Sequence, residues 1–207
     1  MGLVYATATV VPSKQELVEA WLPSRPWAGG ATTVEKVGEY RFDDPEGEVG
    51  VETIVWRTPD GALLQVPFTY RAAPLPGADA HLVGTSEHSV LGTRWVYDGC
   101  ADPVWAATLA TTILTGGHQA QMTFESDGTL VDVPPRLPVR GSGSADTAVP
   151  AIDTVDAIRD GGPVTTVVAG PVTLLLARVV GTPLDGDATL TGTVTDRDLG
   201  VLAALRR

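Results

Sequence analysis

Three strand-length segments follow one another between residues 32 and 72, and they restrict the fold more than any other feature of the chain. Residues 32–42 and 62–72 are rich in β-branched and aromatic side chains. Residues 48–57 repeat β-branched side chains at every second position: Val49, Val51, Thr53 and Val55. The segment Thr58-Pro59-Asp60-Gly61 is a strong turn signal, because proline presets φ and glycine accepts a positive φ. The pattern predicts a β-hairpin within an antiparallel sheet.

The sequence also contains two helix signals and two further strand pairs. Ser13 and Glu16 form a capping box, and Leu17, Val18, Trp21 and Leu22 follow at helical spacing. Asp102-Pro103 is a good N-cap followed by a first-turn proline, and Gly116-Gly117 is a stop signal. Further hairpins are expected over residues 80–86 with 89–97, and over 118–124 with 128–133 through Asp127-Gly128. These elements together predict an α+β fold, with an antiparallel sheet packed on one or two helices.

The pattern changes after residue 133. Pro134, Pro135 and Pro138 are followed by a Gly/Ser/Ala-rich stretch, which is typical of a linker or mobile loop. We therefore predict a first domain over residues 1–133, a linker over 134–151 and a small β-rich extension over 152–207. Within the extension, the sequence predicts strands near 164–169, 172–180 and 188–195, and short helices near 152–160 and 197–206.

Charge and cysteine content narrow the function classes. The 207 residues carry a formal net charge of −11, which disfavours binding to nucleic acid or to anionic lipid. The single cysteine, Cys100, cannot form an internal disulfide, and this fits a reducing compartment. The N-terminus lacks a basic signal-peptide region, and no run of ~18 apolar residues exists. We expect a cytoplasmic protein whose partners include neither nucleic acid nor a membrane.

The candidate catalytic groups lack the spacing that catalysis requires. His81, His88 and His118 are not spaced as metal ligands, and no cysteine pair accompanies them. Paired carboxylates such as Asp43-Asp44 lie in loops rich in glycine and proline, where solvated turns are the simpler interpretation. The stretch Gly141-Ser-Gly143 resembles a phosphate loop only superficially, because no lysine follows it. We predict no catalytic residues, no metal site and no cofactor.

Three segments carry a family resemblance. They are residues 19–30 (EAWLPSRPWAGG), residues 65–75 (QVPFTYRAAPL) and residues 88–98 (HSVLGTRWVYD) followed by Asp102-Pro103-Val104. Together they resemble the N-terminal cap domain of actinobacterial maltokinases and related aminosugar kinases, over about residues 13–125. Gly30 departs from the family pattern, which tends to have lysine there.

The resemblance implies a curved antiparallel sheet that cradles a helix, cystatin-like in outline. In the full enzymes this cap sits on the kinase N-lobe, and the ATP and sugar residues belong to domains that this sequence does not contain. Residues 172–180 are placed like an N-lobe strand, so the extension is either a remnant N-lobe or an unrelated β extension. Ala177 or a neighbour would then stand where such kinases have a nucleotide-binding lysine.

Five residues form the candidate binding set: Tyr70, Arg71, His88, Arg94 and Tyr97. One interpretation places them along an open sheet face as a surface for a partner or ligand. The other interpretation has the arginines supporting turns, and strand alternation itself puts Tyr70 and Arg71 on opposite faces.

Three functions remain open at this stage. The first is a non-catalytic accessory protein that binds a sugar kinase or another enzyme of glucan, trehalose or aminosugar metabolism, or that self-associates. The second is a binding module for a sugar or an apolar small molecule. The third is a hydrolase that uses His88 or His118 with a nearby acid.

Overall fold

The computed structural model describes residues 2–4, 8–126, 129–195 and 197–207. Its two α-helices are α1 (Lys14–Trp21) and α2 (Pro103–Thr115). Its strands are β1 (Gly2–Val4), β2 (Val10–Val11), β3 (Glu35–Phe42), β4 (Gly50–Arg57), β5 (Leu63–Arg71), β6 (Leu82–His88), β7 (Gly92–Asp98), β8 (Met122–Ser126), β9 (Thr129–Val133), β10 (Val139–Gly141), β11 (Ala157–Gly161), β12 (Val164–Ala169), β13 (Val172–Ala177), β14 (Ala188–Val194) and β15 (Arg197–Arg206). The fold is α+β and mostly antiparallel, as predicted.

The first six-stranded sheet has the order β2-β6-β7-β5-β4-β3, with every neighbouring pair antiparallel. The predicted β4–β5 hairpin is confirmed, with Arg57 opposite Leu63 and Gly61 at a φ of 88° in the turn. β8 and β9 also form a hairpin, and its predicted turn residues 127 and 128 lie outside the described residues. β1, β8 and β9 form a small third sheet, in which β1 pairs in parallel with β8.

Helix α1 covers one face of the first sheet. The capping box is present: the Glu16 amide donates to the Ser13 hydroxyl at 3.2 Å, and the Ser13 amide donates to the Glu16 carboxylate at 2.8 Å. The apolar side of the helix packs on one set of alternating strand positions. The members of this cluster include Leu17, Val18, Trp21, Trp27, Ile54, Trp56, Leu64, Val66 and Phe68.

The other face of the first sheet is covered by α2 and by a second six-stranded sheet, which is formed by β10 to β15. Val51 and Val55 of β4 share one core with Trp105 and Ile113 of α2. The same core contains Leu174 and Leu202 from the second sheet. β4 is therefore buried on both faces, although its alternating sequence resembles that of a half-exposed strand.

The second sheet has the order β10-β14-β15-β13-β12-β11, again antiparallel throughout. The strands predicted near 164–169, 172–180 and 188–195 are confirmed as β12, β13 and β14. The helices predicted near 152–160 and 197–206 are wrong, because residues 152–156 have no regular secondary structure, and β11 and β15 occupy the rest of those segments. β15 lies between β13 and β14, and its residues 202–205 are all buried. A short apolar run buried on both faces has no period by which to distinguish a strand from a helix.

The Gly/Ser-rich stretch, predicted as a linker, is held against the end of α2. Gly143 N donates to Ile113 O and Ser144 N donates to Leu114 O, both at 2.9 Å. Ser142 N donates to Thr189 O of β14, also at 2.9 Å. The backbone amides that a phosphate loop would offer to a ligand are therefore satisfied by the carbonyls of the last helical turn and of β14.

The two large sheets are joined at β5. Gln65 N donates to Arg178 O, and Val180 N donates to Leu63 O, both at 2.8 Å. The buried Gln65 side chain donates to Ala177 O at 3.1 Å and to Leu202 O at 2.9 Å. These bonds continue the pairing of β5 into the segment after β13.

Within the described residues, neither helix has the length and apolar character needed to cross a bilayer.

Candidate functional site

The five residues of the candidate binding set are separated by the sheet. The Tyr70 hydroxyl donates to Glu52 Oε2 at 2.7 Å on the α1 side. Arg71, on the opposite side, binds Asp102 through Nε and Nη2, both at 2.7 Å. Tyr97 is buried, and its hydroxyl accepts from Leu75 N at 3.0 Å. Alternation along β5 was therefore the correct guide to the faces of Tyr70 and Arg71.

The remaining two residues bind the turn between β6 and β7. His88 Nδ1 accepts from Val90 N and Leu91 N, each at 3.2 Å. Arg94 Nη2 donates to Leu91 O at 2.7 Å. The structure thus does not bring the five side chains together on one open face, and a binding role for any of them stays a prediction. Among the described residues, no group of three His, Cys, Asp or Glu side chains is arranged to hold a metal ion.

Glu52 forms a buried charge network that the sequence did not indicate. Its carboxylate is 2.6 Å from Lys14 Nζ and accepts the Tyr70 hydroxyl. Burial raises the pKa of Glu52, but the positive charges of Lys14 and Arg41, with the hydrogen bonds from Lys14 and Tyr70, outweigh burial and lower this pKa to about 2. Burial and the neighbouring Glu52 charge raise the pKa of the Tyr70 hydroxyl. The network ties the start of α1 to β4 and β5.

Replacing Glu52 with glutamine is expected to lower the free energy of unfolding at about pH 7 by about 2–3 kcal/mol. The folded pKa lies below the ordinary value of 4.5, so this contribution is present above 4.5 and is lost as pH falls toward about 2. Urea unfolding at several pH values should therefore show wild type and E52Q converging at acid pH. E35Q, which alters an exposed ion pair on β3, should differ from wild type by less than about 1 kcal/mol throughout. A gap between wild type and E52Q that does not change with pH would contradict this role.

Arg178 is a fully buried cation at the joint between the two large sheets. Its Nη2 is 2.5 Å from Asp98 Oδ2 and 3.3 Å from Cys100 Sγ, and its Nε donates to Thr165 Oγ1 at 2.7 Å. The guanidinium carbon lies 4.6 Å from the centre of the Trp27 ring. Arg178 stands beside Ala177, where the resemblance placed the position of a kinase lysine. Its charge is neutralised by Asp98 in the interior and does not face solvent.

Cys100 belongs to the same buried cluster. Burial raises the pKa of its thiol well above the ordinary value, despite the adjacent Arg178 charge. A buried, protonated thiol is a poor nucleophile. The geometry supports a structural role for Cys100.

One concavity is a groove along the outer face of α2, which we call the α2 groove. It encloses about 760 Å³ and is partly open to solvent. We call its apolar and threonine lining residues the floor, and these include Phe42, Val104, Ala107, Thr108, Thr111, Thr112 and Ile152. We call its acidic, amide and imidazole lining residues the margins, and these include Asp43, Asp44, Glu46, His118, Gln119, Gln121 and Asp153. A second cleft of about 490 Å³ shares Pro103 and Asp153 with it.

The floor of the α2 groove is uncharged, and its threonine hydroxyls are already bonded. Thr111 Oγ1 donates to Ala107 O and Thr112 Oγ1 donates to Thr108 O, both at 2.8 Å. Their hydroxyl protons are therefore not available to a ligand. At one margin Asp44 accepts the amides of Glu46, Glu48 and Val49, which fixes the shape of the β3–β4 loop. Glu46 and Asp153, which come from two separate segments of the chain, are both exposed.

The fold and the groove define an α+β protein in which one sheet is covered by a helix on one face and by a second sheet and a helix on the other. Residues 21–102, fewer than half of the chain, match the maltokinase N-terminal cap domain, so this part of the chain resembles that domain. The match runs from the last residue of α1 to the N-cap of α2, and α2 and the second sheet lie outside it. No curated protein sequence matches the chain.

Proposed function

We propose that this chain is a non-catalytic, cytoplasmic accessory protein that binds another protein of carbohydrate metabolism, with a sugar kinase as the first candidate. The observation that carries the proposal is the match of residues 21–102 to a domain that serves as the cap of maltokinases. In this proposal residues 1–133 are a cap with a cystatin-like outline, and residues 152–207 are an extension derived from a kinase N-lobe. The chain would then supply a cap surface without carrying out phosphoryl transfer itself.

The contacts that the reactive side chains already make support a non-catalytic role. Arg178 is paired with Asp98 in the interior, and Cys100 is buried beside it. The His88 ring accepts the amides of its own turn, which argues against its use as a general base in a hydrolase. Phosphoryl transfer needs accessible cations and metal-holding acids around the nucleotide.

Co-purification of the tagged full chain from its own host tests this function. We expect a stoichiometric complex with an enzyme of sugar or glucan metabolism, identified by mass spectrometry and then rebuilt from the two purified proteins at micromolar concentration. Absence of both a protein partner and self-association would contradict the proposal. Hydrolysis of ATP, or phosphorylation of a sugar, by the pure chain would contradict its non-catalytic part.

A small-molecule binding module is the second candidate, and the α2 groove favours it. Its volume of about 760 Å³ lies within the range of ligand pockets. A panel of sugars, sugar phosphates and nucleotides in a thermal-shift assay separates this function from the first. A specific ligand raises the melting temperature by mass action, whereas a protein-binding cap should show no response to the panel.

A further inference from the structure

The exposed face of α2 lacks the charged residues that a solvated helix face normally carries. Residues 103–124 contain no Asp, Glu, Lys or Arg, although charged residues make up 19% of the chain. The most exposed residue of α2 is Thr111, which lines the α2 groove. Surface helices usually place charged side chains opposite their buried stripe. An uncharged outer face is typical of a surface that another molecule covers.

The shape of the α2 groove matches an elongated occupant. It follows the helix from Pro103 to Thr112, through residues spaced at three and four positions. At a rise of about 1.5 Å per residue, this length is about 14 Å, or between two and three helical turns. The groove is partly open to solvent, whereas sites for small molecules enclose most of the ligand surface.

The charges around the α2 groove favour an occupant that carries positive charge. Acidic side chains from two separate segments line the groove, with Glu46 on the β3–β4 loop and Asp153 next to Ile152, and no Lys or Arg is found among the described residues that line it. The net charge of −11 adds a long-range field of the same sign. A second copy of this chain carries that same charge and is repelled, whereas a basic segment is attracted.

We propose that the α2 groove is the docking site for a basic amphipathic helix of the partner protein, with its apolar side on Val104, Ala107 and Thr111 and its cationic side chains toward Glu46 and Asp153. This inference rests on the proposed function, because it names the surface through which an accessory protein binds its partner. Apolar anchors at helical spacing supply the contact area, and the acidic margins supply the orientation.

Synthetic peptides test the chemistry of the occupant. The probe is a twelve-residue helix with leucines at i, i+3, i+4 and i+7 and arginines on the opposite side, and its counterpart has glutamates in place of the arginines. Calorimetry with the full chain should show binding of the arginine peptide at least about tenfold tighter than the glutamate peptide, weakening as salt rises from about 0.1 to 0.5 M. Equal binding of both peptides, or binding of neither, would overturn the proposal.

Paired variants test the location. T111R places a bulky cation on the groove floor, whereas T115R makes the same change one turn further along, at a residue that does not line the groove. We expect T111R to weaken binding of the arginine peptide by at least about tenfold and T115R by less than about twofold. D153N should weaken it by about threefold, and D146N, at an exposed carboxylate outside the groove, should leave it unchanged. D153N keeps the test valid if T111R fails to fold.

Other occupants give distinct results. Self-association that T111R abolishes would replace the partner helix with a second copy. Binding of 2-phenylethylamine in the groove as tightly as the peptide would replace it with a small organic cation. If T111R still captures the partner found by co-purification, the docking site is wrong while the proposed function stands. If that experiment finds neither a protein partner nor self-association, the function itself fails.

Discussion

Replacing Arg178 with methionine is expected to lower the free energy of unfolding by about 3–5 kcal/mol, because it leaves the Asp98 carboxylate buried without its cation. Asp98 is 3% exposed and Arg178 is 1% exposed, so water cannot take the place of the lost partner. Methionine keeps much of the side-chain volume beside Trp27, and the effect should therefore report the lost ion pair rather than a cavity.

Urea unfolding of R178M measures this effect, and R57M is its matched control. Arg57 pairs with Glu35 at 3.4 Å, but their side chains are 48% and 74% exposed. R57M should change stability by less than about 1 kcal/mol. The double variant D98N/R178M should recover part of the loss, because it removes the unpaired charge. An R178M protein as stable as R57M would show that the buried pair does not hold the two sheets together.

Replacing Gly143 with alanine is expected to destabilise the fold by about 3 kcal/mol or more, because the added carbon overlaps the helix backbone. A Cβ at this position would lie 1.9 Å from Leu114 O and 2.3 Å from Leu114 C. Backbone atoms at the end of α2 cannot move aside as a flexible side chain would. Separating them would also break the bond from Gly143 N to Ile113 O.

Thermal and urea unfolding of G143A measure this effect, with G161A as the control. A Cβ on Gly161 in β11 would meet only Val164 O, at an ordinary contact distance of 3.7 Å. G161A should therefore be within about 0.5 kcal/mol of wild type. A G143A protein as stable as G161A would mean that the Gly/Ser-rich stretch is a loose connection, as its composition suggested, and not a fixed cap on α2.

The predictions from sequence were most accurate where the signal is local. The capping box at Ser13, the Asp102 N-cap and the β4–β5 turn each depend on a few consecutive residues, and each is present. The cap-domain resemblance was also readable from short segments. The second sheet was harder, because the apolar run in β15 has no period that favours a strand over a helix.

The candidate site was harder to predict from the sequence than the helices and strands were. Tyr70 and Arg71 are adjacent in sequence but bind Glu52 and Asp102 on opposite sides of the sheet. The α2 groove is built from four separated parts of the chain, so only the uncharged stretch 103–124 signalled it. The buried pair of Arg178 and Asp98 joins residues 80 positions apart, and no local pattern connects them.

By itself the sequence determined the strands and helices of the cap-like part, together with their caps and turns, because neighbouring residues fix those conformations through sterics and short-range hydrogen bonds. Only the tertiary structure decided that a second sheet covers the back of the first, that a glycine-rich stretch closes α2, and that a cation is sealed between the sheets. Those outcomes depend on which distant surfaces exclude water from one another, and burial of that kind is a property of the whole fold.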